Sequence, residues 1–203
     1  MAGWTDYYER HASREPSRLL TRAMAHVAHM ADTPGGQVAL DLGCGNGHEA
    51  RWLQQKAWHV HAFDRERAAI ERVQAGATAA DTHGTLTAHA TSFEALRQLP
   101  AASLIHAGLS LPFCAPAAFP GFWQVVLAAW QPGGIFAGHF FGPQDAWAVD
   151  PGMTFHSAEA VRQLFSCGDV LELNEFEGMA PSMGGPKYWH RIEVIARNAT
   201  ARG

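Results

Sequence analysis

The chain has 203 residues, a length typical of one large domain, and we predict a single domain that spans residues 1–203. Its 15 basic and 19 acidic side chains amount to 17% of the residues, against 47% that are hydrophobic, and this balance excludes intrinsic disorder. The formal net charge is −4 and no long basic run occurs, so we expect no nucleic-acid partner. No uninterrupted apolar run reaches the roughly 18 residues of a spanning helix, so we expect no membrane partner.

The cysteines and histidines give no pattern of a structural metal site. Cys44, Cys114 and Cys167 lie far apart without a C-x-x-C pair, which suggests neither a disulfide framework nor zinc binding. His59 and His61 form an H-x-H pair, but no third ligand adjoins them, and we predict no metal. The cysteine usage and the lack of a secretory h-region near the start of the chain predict a cytoplasmic location.

The predicted elements alternate between helix and strand. Helices are predicted over 16–31, 46–57, 65–76, 119–131 and 157–165. Strands are predicted over 37–42, 58–63, 85–91, 103–109, 135–141, 170–176 and 189–196. A turn at 132–134 precedes the fifth strand, and a loop over 178–187 joins the last two strands.

This alternation predicts an α/β fold whose parallel strands are covered by helices on both faces. The last two strands lack a helix between them, so they are expected to pair antiparallel. We therefore predict a Rossmann-like, doubly wound, mostly parallel seven-stranded sheet with a terminal antiparallel hairpin. Ligands of such sheets bind beyond the carboxyl ends of the strands.

The strongest local pattern is a glycine-rich loop that follows the first strand and opens the second helix, with the sequence Asp41-Leu42-Gly43-Cys44-Gly45-Asn46-Gly47. Glycines allow a sharp turn and a close approach of a ligand to the main chain, and the helix N-terminus favours an anionic group. Asp64 ends the next strand, 21 residues after Gly43, where a carboxylate binds the two hydroxyls of a ribose.

The spacing of the loop separates two classes of cofactor. A dinucleotide fingerprint needs a third glycine at the position of His48, whereas the pattern here is D-x-G-x-G-x-G led by Asp41. A carboxylate at the loop suits an ammonium group, which S-adenosylmethionine carries at its methionine end. The loop therefore resembles motif I of the class I S-adenosylmethionine-dependent methyltransferases.

The resemblance implies S-adenosylmethionine as the cofactor, with S-adenosylhomocysteine as its product, and it implies a set of binding residues. These are Asp41, Gly43, Cys44, Gly45, Gly47, Asp64, Arg65, Ser92, Phe93, His106 and Arg18.

The adenine contacts are expected at residues 90–94, after the third strand. No carboxylate stands at Ala90 or Thr91, so Ser92 or the backbone of Phe93 is expected to serve, with Asp81 and Glu94 as alternatives. The fourth strand leads into residues 106–113, which lack the Asn/Asp-Pro-Pro-Tyr motif of base and glutamine N-methyltransferases. This difference argues against a nucleobase acceptor.

The segment Trp4-Thr5-Asp6-Tyr7-Tyr8 is similar to the N-terminal stretch of small bacterial methyltransferases of the tellurite-resistance and thiopurine type. That resemblance implies a lid and helix over residues 1–33, with Tyr8 facing the methionine portion of the cofactor and Arg18 meeting its carboxylate. The alternative is an aromatic patch that anchors the first helix.

Three histidines are expected near one pocket: His106 in the fourth strand, His139 in the fifth and His190 at the start of the last. We predict His139, His190 and Tyr8 as catalytic residues, and Lys187 as a further candidate for the acceptor site. A base is needed only where the acceptor must lose a proton.

These features predict a methyltransferase that acts on a small-molecule nucleophile with nitrogen, oxygen, sulfur or a heavier chalcogen as the acceptor atom. A chain of this length has little material beyond the cofactor fold, which argues against a macromolecular acceptor. Two alternatives remain open: an enzyme that cleaves or cyclises the same cofactor, and a non-catalytic cofactor-binding partner or sensor. A nicotinamide dehydrogenase is disfavoured by His48, and the sequence does not indicate an oligomeric state.

Overall fold

A computed structural model describes residues 15–27, 37–76, 84–182 and 184–199. Within these ranges the helices are α1 (Arg18–His26), α2 (His48–Gln55), α3 (Arg67–Ala75), α4 (Phe119–Ala129) and α5 (Ala158–Leu164). The strands are β1 (Val38–Leu42), β2 (His59–Asp64), β3 (Thr85–Ala90), β4 (Ala102–Ala107), β5 (Trp130–Phe141), β6 (Gly168–Ser182) and β7 (Gly185–Asn198). None of the described helices has the length and apolar character needed to cross a membrane.

The seven strands form one sheet in the order β3-β2-β1-β4-β5-β7-β6. The first five strands in the chain run parallel, whereas β7 is antiparallel to both of its neighbours, β5 and β6. The strand order reverses between β1 and β4, and ligands of doubly wound sheets bind at such a switch point. The predicted Rossmann-like sheet with its terminal hairpin is therefore confirmed.

Alternate residues of each strand pack into separate cores on the two faces of the sheet. On one face, Leu40 and Phe136 join the aromatic side chains of α4. On the other face, Ala39 and Ala137 join the apolar side chains of α1, α2 and α3. Since side chains alternate along a strand, each polar residue of β1, β4, β5 or β7 can be assigned to a face by its position.

The first helix begins two residues later than predicted. Ser17 is its N-cap, and the Ser17 Oγ accepts a hydrogen bond from the backbone N–H of Leu20 at 3.2 Å. Pro16 therefore lies before the cap instead of in the first turn. Leu19 and Ala23 are buried against the sheet. The predicted continuation of this helix over 28–31 lies outside the described residues, as does the segment 1–14.

The turn predicted at residues 132–134 is a bulge inside β5. Ala102 of β4 pairs with Trp130 of β5, and the next pair is Leu104 with Ile135. Between these pairs β5 contains three more residues than β4. Gly133 has a φ of +76°, which a glycine adopts without strain. The proline and glycines thus interrupt the pairing of the strand without ending it.

The loop predicted over 178–187 is wrong, because the two last strands continue through it. Pairing extends to Ser182 and Gly185 at the tip of the hairpin. Pro181 and Pro186 face each other near that tip. Prolines are tolerated there because they occupy the end of an edge pair, where fewer ladder hydrogen bonds are lost. As a result, His190 lies well inside β7 instead of at its start.

Candidate active site

The glycine-rich loop has the backbone that its sequence requires. Gly43, Gly45 and Gly47 have φ values of +75°, +53° and +73°, a region that other residues rarely adopt. A Cβ atom on Gly43 would lie 2.2 Å from Cβ of Ser110, and one on Gly47 would lie 2.6 Å from a methyl group of Val73. Both the conformation and the packing therefore demand glycine at these two positions.

Hydrogen bonds tie the loop to the end of β2. The backbone N–H groups of Gly43 and Cys44 donate to the carbonyl oxygen of Phe63 at 2.8 and 2.9 Å. The N–H of Gly45 donates to Oδ2 of Asp64 at 2.9 Å, and the N–H of Glu66 donates to Oδ1 of Asp64 at 2.9 Å. These bonds orient the Asp64 carboxylate toward the loop and leave lone pairs that can accept hydroxyl groups.

A cavity of about 520 Å³ lies at the carboxyl ends of the parallel strands, around the glycine-rich loop. Its volume is that of a small-molecule site. Eleven of the residues predicted for the site line it, namely Asp41, Gly43, Cys44, Gly45, Asp64, Arg65, Ser92, Phe93, Glu94, His106 and His139. Gly47, Arg18, Lys187 and His190 do not line it, while Tyr8 and Asp81 lie outside the described residues.

Asp41 is buried at the carboxyl end of β1, on the same face as His106 of β4. Its Oδ1 lies 2.9 Å from Nδ1 of His106, whereas its Oδ2 has no hydrogen-bond partner among the described residues. Burial raises the pKa of Asp41, and the His106 imidazole acts against that rise. Asp41 lines the cavity, its buried Oδ2 needs a donor, and the ammonium of an amino acid is a suitable one.

His139 is 7% exposed and lies on the same face as His106, one strand further along the sheet. Its Nε2 is 3.3 Å from Oε2 of Glu193, the residue opposite it on β7. Its Nδ1 is buried and has no hydrogen-bond partner in the described part of the chain. Burial lowers the pKa of His139, although Glu193 and other neighbours modify that effect, so the imidazole is neutral at pH 7.

Glu193 continues a chain of charged contacts to the first helix. Arg22 of α1 donates to Glu193 Oε1, and the Nε of Arg22 donates to Glu172 of β6 at 2.9 Å. The other oxygen of Glu172 lies 2.8 Å from Nε2 of His26. The contact with His139, and then that with Arg22, holds the pKa of Glu193 at about 2 against the opposing effect of burial. The first helix is thereby joined to a residue of the cavity.

His190 belongs to the other face of the sheet. It is separated from Arg191 and Trp189 by the alternation of β7, and its ring packs over Gly142, where a Cβ would lie 2.3 Å from ring atoms. Nδ1 of His190 accepts the backbone N–H of Gln144 at 3.2 Å, and Nε2 lies 2.7 Å from Oε1 of Glu175. These contacts explain why it does not reach the cavity.

Glu175, Glu177 and His190 place one oxygen or nitrogen each within 4.8 Å of one another. A metal ion would need the lone pair of Nε2, since Nδ1 already accepts a hydrogen bond from Gln144. A neutral imidazole with an accepting Nδ1 carries its proton on Nε2 and donates it to Glu175. This cluster is therefore a hydrogen-bonded group in the structure.

Four aromatic side chains line the hairpin end of the cavity, and we call them the aromatic wall: Phe113, Phe141, Trp147 and Trp189. Their ring centroids lie 5.3 to 6.5 Å apart in successive contacts. Lys187 lies behind the wall, with its Nζ 3.6 Å from the centroid of Trp147 and 3.9 Å from that of Trp189, and it forms an ion pair with Asp145.

Several residues of the site carry no local sequence signal. Glu193 and Arg22 are distant in the chain from the glycine-rich loop, and Trp147 follows β5 in an irregular segment. Arg191 also lines the cavity. The pairing register of β5 with β7 places Glu193 opposite His139 and Arg191 opposite Phe141, and this register cannot be read from the sequence alone.

Comparisons with known proteins agree with this geometry. Residues 39–134 match the family model described as a methyltransferase domain. No curated protein matches the chain.

Solved structures share the fold at low sequence identity. A S-adenosylmethionine-dependent methyltransferase from Methanosarcina mazei is 14% identical with a TM-score of 0.65, over 92% of this chain and 100% of that one. TehB from Haemophilus influenzae is 15% identical with a TM-score of 0.73, over 97% of this chain and 68% of that one. The N-methyltransferase NodS from Bradyrhizobium japonicum, in complex with S-adenosylhomocysteine, is 16% identical with a TM-score of 0.61, over 97% and 99% of the two chains.

The matched residues contain the glycine-rich loop and Asp64, and over them the chain is similar to a methyltransferase domain. Its whole sheet shares the fold of the solved S-adenosylmethionine-dependent methyltransferases. The loop resembles a binding site for S-adenosylmethionine, and NodS is a neighbour whose structure contains the product S-adenosylhomocysteine. The residues present fit S-adenosylmethionine. The loop glycines allow a ligand to approach the main chain closely, and the buried oxygen of Asp41 is a carboxylate partner for an ammonium group.

Proposed function

We propose that the protein transfers the methyl group of S-adenosylmethionine to a nucleophilic atom of a small molecule. One observation carries the proposal: Oδ2 of Asp41 and Nδ1 of His139 belong to residues that line one cavity, and within the described ranges both buried atoms lack a hydrogen-bond partner. Oδ2 of Asp41 can accept a hydrogen bond from the ammonium of the cofactor, and Nδ1 of His139 can accept a proton from the acceptor.

In this proposal the cofactor is held by the residues around the glycine-rich loop. Asp41 binds the ammonium, and Asp64 accepts hydrogen bonds from the ribose hydroxyls. Ser92 and Phe93, which line the cavity after β3, contact the adenine. When bound, S-adenosylmethionine would supply an electrophilic methyl group on a sulfonium sulfur, which is released as the neutral thioether S-adenosylhomocysteine.

His139 acts as the base for an acceptor that must lose a proton. The Nε2–H of His139 points to Glu193, so the lone pair of the neutral ring is on Nδ1. Nδ1 takes the proton as the acceptor becomes a nucleophile, and the Glu193 carboxylate stabilises the imidazolium that results. Burial keeps the base neutral, and it also excludes water from the reaction.

The size of the cavity supports a small acceptor. A volume of about 520 Å³ must hold both the cofactor and the acceptor, which leaves space for a compact molecule. We further propose one catalytic domain over 1–203, with 1–33 as an N-terminal lid and helix, the lid bringing Tyr8 to the cofactor. A reducing cytoplasm suits its three free cysteines, of which Cys167 is exposed.

The test is calorimetric titration of the purified protein with S-adenosylmethionine, S-adenosylhomocysteine and NADH, followed by mass spectrometry of small-molecule acceptors after incubation with the cofactor. Methyl transfer adds one CH₂ to the acceptor mass and yields S-adenosylhomocysteine. Cofactor consumption without an acceptor would instead show cleavage or cyclisation. Binding without any turnover across thiols, amines, phenols and carboxylates would favour a sensor, and binding of NADH alone would overturn the cofactor assignment.

A further inference from the structure

The two ends of the cavity differ in charge. Around the glycine-rich loop it is acidic, with the carboxylates of Asp41, Glu49 and Asp64 among its lining. At the hairpin end it is aromatic, and the charged residue that accompanies the aromatic wall is Arg191. The acidic end suits the cationic cofactor, so the chemistry of the acceptor must be sought at the other end.

Arg191 is half-buried, and within the described ranges its charge has no carboxylate partner. Its guanidinium carbon lies 5.7 Å from the ring centroid of Phe176, and it forms no ion pair with any residue of the four described ranges. The β5–β7 register places Arg191 directly opposite Phe141 of the aromatic wall, two residues from Glu193. Arg191 lines the cavity, and the guanidinium of an arginine is a binding group for a carboxylate or another planar anion.

The position of Arg191 is poorly suited to the carboxylate of the cofactor. The strand register pairs Asp41 of β1 with His106 of β4, His106 with Ala137 of β5, and Ala137 with Ile195 of β7. Arg191 lies four residues before Ile195 on β7. At typical strand spacings this separates the two backbones by about 14 Å across the sheet and about 13 Å along it. The ammonium and carboxylate of an amino acid share one carbon, so a cofactor whose ammonium meets Asp41 keeps its carboxylate near Asp41.

A cationic acceptor is disfavoured by Lys187. Its ammonium already occupies the faces of Trp147 and Trp189 from behind the wall, at 3.6 and 3.9 Å from their centroids. A substrate cation on the opposite faces of the same rings would be repelled by this ammonium and by Arg191. The aromatic wall therefore offers the cavity apolar surface for ring packing, and Arg191 supplies the adjacent positive charge.

We propose that the acceptor is a small aromatic carboxylate, whose ring packs on the aromatic wall and whose anion is bound by Arg191. This inference rests on the proposed function, since it assumes that the hairpin end holds the acceptor. It assigns to Arg191 the selection of the substrate, while His139, on the neighbouring strand, faces the atom that receives the methyl group.

The experiment uses protein saturated with S-adenosylhomocysteine, whose binding is measured first. Benzoate, 3-hydroxybenzoate, 4-hydroxybenzoate and indole-3-carboxylate are then titrated against their uncharged carboxamides, which have nearly the same shape. The same titrations are made with Arg191→Gln, with Arg191→Lys, and with Arg162→Gln on the exposed side of α5 as a matched control.

At least one carboxylate is expected to bind ten times more tightly than its amide. Arg191→Gln should remove that preference, Arg191→Lys should keep part of it, and Arg162→Gln should leave it unchanged, with the same affinity for S-adenosylhomocysteine in all four proteins. Equal binding of every carboxylate and its amide would overturn the inference, as would a loss of S-adenosylhomocysteine binding confined to Arg191→Gln. Failure of the wild-type protein to bind S-adenosylhomocysteine at all would instead count against the proposed function.

Discussion

His139 and Glu193 face each other across β5 and β7, with Nε2 of the imidazole 3.3 Å from Oε2 of the carboxylate. The carboxylate is also held by Arg22 from the first helix. Nε2 of the ring contacts Glu193, whereas Nδ1 has no hydrogen-bond partner among the described residues and can contact a ligand. The arrangement orients the ring without using the nitrogen on which the proposed chemistry depends.

Replacement of His139 by Gln should remove the base and little else. With an acceptor that must lose a proton, kcat should fall by about 10²- to 10⁴-fold. Affinity for S-adenosylhomocysteine, measured by calorimetry, should be unchanged, because His139 is not among the proposed cofactor contacts. The His190→Gln variant is the matched control, since that ring lies on the opposite face. An equal loss of kcat in both variants would contradict the assignment.

The reaction rate should depend on pH through His139. Burial lowers its pKa below the ordinary value of 6.5, so the neutral, active form predominates at pH 7. The rate should rise with pH through a midpoint below 6.5 and then stay level. In Glu193→Gln the midpoint should move to lower pH, because the carboxylate that favours the imidazolium is gone. The plateau should also fall, as the base is weaker. Profiles of kcat against pH for both proteins test this, and a superimposable pair would refute the role of Glu193.

Glu193 should also make the stability of the fold depend on pH. Its pKa is about 2 in the folded protein against an ordinary value of 4.5, so its stabilising effect is present above pH 4.5 and is lost as the pH falls toward 2. Glu193→Gln should therefore lower the free energy of unfolding by about 1–3 kcal/mol at pH 7 and by less at pH 3. Urea unfolding at the two pH values, with Glu159→Gln on exposed α5 as a control, measures the difference. A loss that is the same at both values would show that the carboxylate charge does not matter.

Asp64 should contribute to cofactor affinity through the ribose. Asp64→Ala is expected to weaken S-adenosylhomocysteine binding by about 1.5–3 kcal/mol, the value of hydrogen bonds to a charged group. Because Asp64 also accepts the N–H groups of Gly45 and Glu66, circular dichroism should accompany the titration. Asp64→Asn keeps the shape of the side chain, and its affinity for S-adenosylhomocysteine should lie between those of the wild-type protein and Asp64→Ala. A folded Asp64→Ala protein with unchanged affinity would disprove the ribose contact.

Gly43→Ala should abolish cofactor binding, because the new methyl group would lie 2.2 Å from Cβ of Ser110 at a φ of +75°. Gly121→Ala is the matched control: it lies in α4 with nothing within 4 Å of an added Cβ. That variant should bind normally and gain up to about 1 kcal/mol of stability. Thermal unfolding and calorimetry of the two variants separate loop packing from a general effect of the methyl group. Normal cofactor binding by Gly43→Ala would refute the assignment of the glycine-rich loop as the cofactor site.

The sequence predicts the parts of the site whose signal is local. Gly43, Gly45 and the acid at Asp64 stand at fixed spacing around one strand, and that spacing was enough to distinguish the class of cofactor. The order of helices and strands likewise predicts the sheet and its terminal hairpin. Each of these features is determined by neighbours in the chain.

The remaining parts depend on contacts between distant residues. Which face a histidine occupies depends on strand register, and the composition of 178–187 suggested a loop where a paired hairpin forms. The sequence therefore predicts His190 and His139 in one pocket, although the alternation of β7 places them on opposite faces of the sheet. Arg22 and Glu193 lie 171 residues apart, so no motif relates them.

The place of β7 in the sheet has a consequence for how the protein is made. This strand is the last of the described chain, yet it inserts between β5 and β6 and carries Glu193, the partner of Arg22. While β7 is still inside the ribosome, β6 has no neighbouring strand in the sheet and Arg22 of the first helix lacks its partner Glu193. The proposed base and its orienting carboxylate are thus assembled only after β7 has been synthesised, and a nascent chain stalled before residue 185 is expected to carry the cofactor loop without a working acceptor site.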